Sequence, residues 1–306
     1  MSSSASPGGA AGATAFACVA VTVLLWASAF PSIRAALQAF PPAELAALRF
    51  AVASLALGLH LAWARPALPG RADLPRILAA GGLGIAAYNL LLNSGSRVVD
   101  AGTASFLVNT APVFAAILGA ALLGERLRPW GWVGIGLSVA GVALIAAGRG
   151  EMGFGAGALL VLAAALCQAA QFVLQKPLLA RRGALPVTAC LLWAGTAMLL
   201  PFLPGALATA ASAPAEALGA VIFLGLGPAA LAYVAWSHAL SRLPVGRAAS
   251  FLYLVPPVAT LIAWAWLGEA PGWGALAGGA VALAGVVLVN TIGRAPAAPP
   301  SATRES

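Results

Sequence analysis

GTASFLVNTAPVFAAILGAALLGE, residues 102–125, recurs in altered form as GRAASFLYLVPPVATLIAWAWLGE at residues 246–269. A shift of 144 residues places one Leu-Gly-Glu on the other and Pro42 on Pro186. A shift of 145 residues instead aligns the two Ser-Phe-Leu segments, so one residue is gained or lost before each Leu-Gly-Glu. Self-similarity at a fixed period indicates that the chain is built from two repeats.

The composition excludes a water-soluble globular protein. Hydrophobic residues make up 61% of the 306 positions and charged residues only 8%, against roughly 25% charged residues in soluble domains. The net charge of +8 is scattered singly or in pairs and lacks the clustered basic stripe of a nucleic-acid-binding protein. We therefore expect an all-α integral membrane protein that has the lipid bilayer as its partner and binds no nucleic acid.

Apolar runs of about 20 residues, bounded by Pro, Gly and charged residues, predict ten transmembrane helices. They fall near residues 14–37, 43–64, 76–98, 101–123, 130–148, 154–179, 186–206, 216–240, 246–267 and 272–292. The repeat divides the chain into a flexible tail (1–13), a first five-helix repeat (14–148), a second five-helix repeat (154–292) and a second flexible tail (293–306). Because five is odd, the second repeat enters the membrane from the opposite side. Inverted repeats around a central cavity are the architecture of many secondary transporters.

The distribution of Lys and Arg predicts the orientation. Of the sixteen, only Arg34, Arg49, Arg97 and Arg149 fall on the side away from the N-terminus. Cytoplasmic loops carry the excess of Lys and Arg in membrane proteins. Both termini are therefore expected in the cytoplasm, and the membrane is expected to be a bacterial inner membrane.

Polar side chains in the middle of predicted spans mark a candidate substrate cavity, since such side chains are costly in lipid and turn to the bundle interior. Asn89 and Asn93 lie one turn apart on the third helix, and the 144-residue shift places Tyr233 and Ser237 at the same depth on the eighth. Three glutamines spaced three and four residues apart form one stripe on the sixth helix. The predicted substrate-binding residues are Tyr88, Asn89, Asn93, Asn109, Gln168, Gln171, Gln175, Tyr233, Trp236, Ser237 and Tyr253. The alternative is that the amides hydrogen-bond between helices without contacting a substrate.

Glycine, proline and two helix-end carboxylates are candidates for moving parts. The predicted hinge and gate residues are Gly81, Gly84, Gly225, Gly227, Pro228, Glu125 and Glu269. For the glycines, close packing of helices is favoured slightly over bending. For the two glutamates, an anchor or gate pair at the helix end is favoured over proton binding.

Charge within the predicted spans is sparse. Arg49 is the one ionisable residue well inside a span, and we favour a snorkelling side chain over the alternative, a partner for a substrate carboxylate. Arg34 is likewise expected to snorkel. Since no Asp or Glu is predicted inside a span, we expect facilitated diffusion or weak coupling rather than strict proton coupling. The three cysteines lack metal-ligand spacing, so no metal and no cofactor is predicted.

These features together resemble the drug/metabolite transporter superfamily, specifically chains with two EamA-type domains of five helices each. The resemblance is carried by Trp26-Ala-Ser-Ala-Phe-Pro31, by Leu48-Arg49-Phe50 and by the two Leu-Gly-Glu segments. The sixth helix departs from the pattern because it has no Trp-to-Pro motif, and Trp193 stands where Arg49 would repeat. The resemblance implies metabolite export, with the YddG-type amino-acid exporters as the nearest type.

The function that follows is a secondary transporter working by alternating access. Its expected cargo is a small neutral or zwitterionic metabolite, foremost an amino acid, including aromatic ones. The alternative is a multidrug or sugar-conjugate exporter of the same superfamily. A membrane protein without a transport pathway is disfavoured by the duplicated polar positions. An enzyme is not expected, because no convergent nucleophile, acid/base pair or metal set is visible. A monomer is possible, and a homo-oligomer is left open.

Overall fold

The computed structural model describes residues 7–123, 127–147, 155–240 and 251–292, and these residues fold into helices joined by short turns. Their α-helices are α1 (Pro7–Ala36), α2 (Pro42–Ala64), α3 (Leu74–Gly81), α4 (Tyr88–Gly95), α5 (Ala101–Val108), α6 (Ala111–Leu123), α7 (Pro129–Ala147), α8 (Ala156–Arg181), α9 (Ala184–Leu199), α10 (Leu203–Ser212), α11 (Ala215–Leu226), α12 (Ala232–Leu240), α13 (Val255–Leu267) and α14 (Trp273–Thr291). The all-helical prediction agrees with this structure. The predicted tail at 293–306 and residues 1–6 of the predicted tail at 1–13 lie outside the described residues, and the backbone of residues 7–13 belongs to α1.

Eight stretches of the described residues are long and apolar enough to cross a membrane. They are Thr14–Ala36, Pro42–Ala64, Arg71–Gly95, Ala101–Leu122, Ala156–Leu179, Ala184–Ser212, Ala215–Trp236 and Trp273–Thr291. Two shorter apolar helices, Pro129–Ile145 and Phe251–Leu267, accompany them. Tryptophans near helix ends are highly exposed, such as Trp63 (82%) and Trp273 (86%), as is common where a helix meets the membrane interface. The chain is therefore an integral membrane protein, and the count of ten spans stays a prediction.

Proline shapes the helices that the sequence predicted as continuous. The predicted helix at 101–123 divides after Val108, where Thr110 N–H bonds the Leu107 carbonyl at 3.1 Å. Pro112, just after the break, has no N–H to continue the ladder back to Val108. The predicted helix at 186–206 runs longer, from Ala184 to Ser212, with a 3₁₀ turn at Leu200–Phe202 that contains Pro201.

Two π-helical segments occupy matching positions in the two halves. Gly82–Ala87 joins α3 to α4, and Gly227–Leu231 joins α11 to α12. The 144-residue shift places the first segment on residues 226–231, so the two nearly coincide. Both lie where the sequence analysis found its candidate hinges. Such segments are frequent at functional sites.

The glycines of these two regions sit against neighbouring backbone. A Cβ on Gly81 would lie 2.4 Å from the Leu191 carbonyl oxygen, and one on Gly225 would lie 2.8 Å from the Arg49 carbonyl oxygen. Both distances are shorter than a real Cβ contact allows. Close packing, the favoured interpretation, therefore describes these glycines in this conformation, and bending stays a prediction.

The helices α7 and α14 also pack closely through small residues. A Cβ on Gly141 would lie 2.3 Å from the Ala282 nitrogen, and one on Gly278 would lie 2.5 Å from the Gly141 carbonyl oxygen. Ser138 Oγ donates to the Ala282 carbonyl at 3.0 Å. Small residues let the two backbones approach.

Candidate functional site

A central cavity of about 650 Å³ opens among the helices. It is lined from α1, α2, α4, α6, α8, α9, α12, α13 and α14 and from both π-helical segments. At one end it stops at Ile33 and Leu92. At the other it reaches Gly119, Lys176 and Thr291, close to the ends of their helices; we call this second end the mouth.

Arg49 lies in the wall of this cavity. Its side chain is held inside the bundle, with the residue only 8% exposed, and its Nη1 donates to Asn89 Oδ1 at 3.3 Å. The guanidinium carbon lies 5.1 Å from the centre of the Phe50 ring, a cation–π distance. Its Nε is buried and has no hydrogen-bond partner. The snorkelling interpretation of Arg49 is therefore wrong, since the side chain faces the cavity and not the membrane interface.

Asn89 connects Arg49 to the first π-helical segment. Its Nδ2 donates to the Ile85 carbonyl at 2.8 Å, and Ile85 belongs to the segment Gly82–Ala87. This bond orients the amide so that Oδ1 faces the guanidinium. The π-helical segment thus helps to fix the arginine, as well as joining two helices.

An aromatic group, Trp26, Tyr233 and Trp236, forms another part of the wall. The Trp26 ring centroid lies 5.7 Å from those of Tyr233 and Trp236, within the range of favourable ring pairs. Trp26 Nε1 donates to the Pro228 carbonyl at 3.1 Å. This bond ties the first helix to the second π-helical segment and satisfies the indole N–H inside the bundle.

The predicted amides of α8 also reach the cavity. Gln168, Gln171 and Gln175 all line it, together with Asn109 and Tyr253. Gln171 occupies the space that a side chain on Gly84 would need, since a Cβ there would overlap its Oε1. Gly84, a predicted hinge residue, therefore makes room for a cavity-lining amide.

Three predicted residues fall elsewhere. Asn93 does not line the cavity; it is fully buried, and its Nδ2 donates to the Pro42 carbonyl at 3.0 Å. It has the helix-linking role that was the alternative for the amides. Ser237 lies on α12, but its side chain is outside the described part of the structure, and Glu125 lies outside the described residues.

Glu269 belongs to a polar cluster beyond the far end of the cavity. It forms an ion pair with Arg34 at 2.8 Å and accepts the Ala101 N–H at 3.0 Å. Arg34 also donates to the carbonyls of Ser96 at 2.7 Å and Arg97 at 2.9 Å. We call these five residues the Arg34 cluster. The expected snorkelling of Arg34 stays a prediction; near the end of α1, Glu269 and two helix-end carbonyls bind its guanidinium.

The electrostatics of the cavity are one-sided. Its charged lining residues are Arg49 in the wall and Lys176 at the mouth. No carboxylate lines the cavity within the described residues. The site therefore suits a neutral, zwitterionic or anionic molecule better than a cation.

Several lining residues were not among the predicted site residues. Trp26 entered the sequence analysis only within the motif Trp26–Pro31, and neither Lys176 nor Asn290 was assigned to the site. A tryptophan in the middle of a span is unusual, because tryptophan prefers the membrane interface. A tryptophan away from a helix end was the sequence feature that could have identified Trp26. An amide within a predicted span was the feature that could have identified Asn290.

An integral membrane bundle with lipid-facing apolar helices and a polar central cavity has the architecture of a small-molecule transporter. The sequence matches the EamA-like transporter family twice, over residues 13–147 and 155–291. The chain belongs to this family, which is part of the drug/metabolite transporter superfamily.

Individual relatives agree with this assignment. A probable terminal-alkyne amino-acid exporter of Streptantibioticus cattleyicolor is 44% identical over 90% of this chain and 93% of its own length. A probable amino-acid metabolite efflux pump of Salmonella typhimurium is 27% identical over 89% of this chain and 93% of its own. One crystal structure, of a chain 25% identical, has a TM-score of 0.61 and covers 90% of this chain and 96% of that chain. The family and these relatives point to a transporter and not to an enzyme.

Proposed function

We propose that this protein is an alternating-access carrier that exports small zwitterionic metabolites, foremost amino acids and including aromatic ones. The observation that carries the proposal is the central cavity, whose wall combines an aromatic group, several amides and one buried cation without a carboxylate. Its volume of about 650 Å³ lies within the roughly 300–1,000 Å³ of small-molecule sites. The similarity to a probable terminal-alkyne amino-acid exporter and to a probable amino-acid metabolite efflux pump supports the same substrate class.

The conformation suggests how access alternates. The cavity reaches the helix ends at its mouth, whereas the Arg34 cluster ties together α1, the ends of α4 and α5, and the residues after α13 beyond the other end. The basic residues Arg71, Lys176 and Arg181 lie at the mouth end of their helices, so the positive-inside rule supports a cytoplasmic mouth and cytoplasmic termini. This conformation would then face the cytoplasm and accept substrate for export.

The ten-span organisation is part of the proposal. The two family matches divide the chain at the predicted boundary between repeats, and the two π-helical segments fall at equivalent positions. These features support two five-helix repeats, 14–148 and 154–292. With an odd number of helices in each, the repeats are inverted, and exchanging their conformations moves the opening from one side to the other.

Export of cationic drugs is the second candidate, and the charge of the cavity disfavours it. An arginine in the wall and a lysine at the mouth repel a cation. A sugar conjugate, which would use the amides, stays as the alternative within the superfamily.

The experiment is counterflow in liposomes that contain the purified protein. Labelled amino acids, a nucleoside and a cationic dye are compared in the parent, in Gln168→Ala from the cavity wall and in Leu59→Ala from the lipid-facing surface, where Leu59 is 66% exposed. We expect saturable amino-acid exchange that falls several-fold in Gln168→Ala and is unchanged in Leu59→Ala. Exchange of the dye alone would contradict the proposed substrate class.

Energy coupling is tested in the same liposomes. With no carboxylate lining the described cavity, we expect an imposed proton gradient neither to drive net amino-acid uptake uphill nor to speed net flux down the amino-acid gradient, compared with liposomes in which an ionophore collapses the gradient. A requirement for the gradient would contradict facilitated or weakly coupled transport.

A further inference from the structure

We infer that Arg49 is the ligand for the substrate's carboxylate, which makes the carboxylate the group that admits a molecule to this carrier. The inference rests on the proposed function and adds to it the chemical group that is recognised and the residue that recognises it. The relatives' names and the family assignment give Arg49 no role.

The positive charge of Arg49 is not balanced by a neighbouring acid. Arg49 is 8% exposed and has no acidic partner within the described residues. A buried charge without a counter-ion is costly, and intramembrane arginines usually pair with an acid or backbone carbonyls. Within the described part of the chain, the hydrogen bond of the guanidinium is to a neutral amide, that of Asn89. A substrate carboxylate would supply the missing negative charge.

The Arg49 guanidinium also has hydrogen-bond donors that the protein does not use. A guanidinium has five N–H donors in a planar fork that matches a carboxylate. One nitrogen of Arg49 binds Asn89, while Nε is buried and unpartnered. Since Arg49 lines the cavity, a molecule inside it can bind the terminal guanidinium N–H groups that Asn89 leaves free, whereas the buried Nε is reached only if the side chain moves.

Neighbouring residues hold Arg49 in place before a substrate binds. Asn89 is itself fixed by the Ile85 carbonyl, and the Phe50 ring lies against the guanidinium. An arginine with a fixed fork loses little freedom on binding a carboxylate. Asn89 is thus a positioning residue for Arg49.

The surrounding wall gives the rest of the molecule a place. Tyr88 and Tyr233 line the same cavity as Arg49, and Tyr233 also packs on Trp26. A carboxylate on Arg49 therefore leaves the other end of the substrate beside aromatic rings. Rings can hold either an apolar side chain or an ammonium group.

The test uses the parent protein in liposomes and needs no variant. Counterflow of labelled phenylalanine is competed by phenylalaninamide, which lacks the carboxylate, and by N-acetylphenylalanine, which keeps it and loses the ammonium group. We expect N-acetylphenylalanine to compete within a few-fold of phenylalanine and phenylalaninamide to compete at least tenfold more weakly. Equal competition by phenylalaninamide would overturn the carboxylate assignment while leaving amino-acid transport in place.

Variants then identify the residue. Arg49→Gln should reduce phenylalanine exchange at least tenfold and should abolish the discrimination between phenylalanine and its amide, a readout that a purely structural role would not change. Arg49→Lys should retain part of the discrimination, and Arg128→Gln, at an exposed arginine outside both the cavity lining and the Arg34 cluster, should match the parent. Discrimination that survives in Arg49→Gln would overturn the role of Arg49. Failure of the parent to exchange any amino acid would overturn the proposed function itself.

Discussion

Two arginines that look alike in the sequence have opposite environments. Arg34 and Arg49 are each single charges in an apolar helix, and each was expected to snorkel. Arg34 is saturated, because it binds Glu269 and the carbonyls of Ser96 and Arg97. Arg49 is more deeply buried, yet it binds one amide and leaves Nε without a partner. A charge whose bonds are complete holds helices together, whereas a buried charge whose bonds are incomplete is suited to a ligand.

The largest expected difference is in stability. Arg34→Gln leaves a carboxylate and two carbonyls without their charged donor, so we expect the free energy of unfolding to fall by about 2–3 kcal/mol. Arg49→Gln removes an unpaired buried charge, and we expect a change of at most about 1 kcal/mol, or a gain. Denaturant unfolding in detergent, followed by tryptophan fluorescence, measures both. Equal losses in the two variants would mean that Arg49 is also a structural residue.

Asn89 and Asn93, one turn apart on the same helix, allow the same comparison between a residue at the cavity and a residue that links helices. Asn93 binds the Pro42 carbonyl outside the cavity, so Asn93→Ala should lower the free energy of unfolding by about 1–2 kcal/mol and leave the KM for amino acids unchanged. Asn89→Ala should raise the KM several-fold, because Arg49 loses the group that positions it. Counterflow and denaturant unfolding of both variants test the pair. The same KM shift in both variants would contradict the separation of their roles.

The sequence predicted the helices well because their signal is local. A run of about 20 apolar residues is required by the thickness of the bilayer, whatever the rest of the chain does. That Asn89 and Asn93 share a face was also visible, since residues four apart on a helix are neighbours.

What the sequence analysis missed depends on contacts between distant segments. Arg34 and Glu269 are 235 residues apart, so nothing local distinguishes Arg34 from Arg49. Asn93 directly follows Leu92, which lines the end of the cavity, and only the packed structure shows that its side chain meets Pro42 and not the cavity. The π-helical segments follow no simple residue pattern, although glycine and proline indicated where they occur.

The smallest effect is expected for Glu269→Gln, because Glu269 forms an ion pair with Arg34. In Glu269→Gln the amide oxygen can still accept a hydrogen bond, but the charge is lost. For an ion pair with side chains about one-fifth exposed, we expect a loss of about 1 kcal/mol. If the Arg34 cluster closes the cavity at this end, the loss of about 1 kcal/mol falls on the inward-open conformation. The ratio of outward-open to inward-open protein then rises by about fivefold.

Cysteine labelling measures this shift. Ile33→Cys, at the far end of the cavity, is introduced after Cys18, Cys167 and Cys190 have been replaced by alanine, and an impermeant thiol reagent is added outside intact spheroplasts. Labelling should be a few-fold faster with Glu269→Gln than without it. Glu216→Gln is the matched control, because Glu216 lines the same surface pocket as Arg34 and takes no part in the cluster. Unchanged labelling with Glu269→Gln would mean that the ion pair joins helices without controlling access, and the functional contrast between the two arginines would then rest on Arg49 alone.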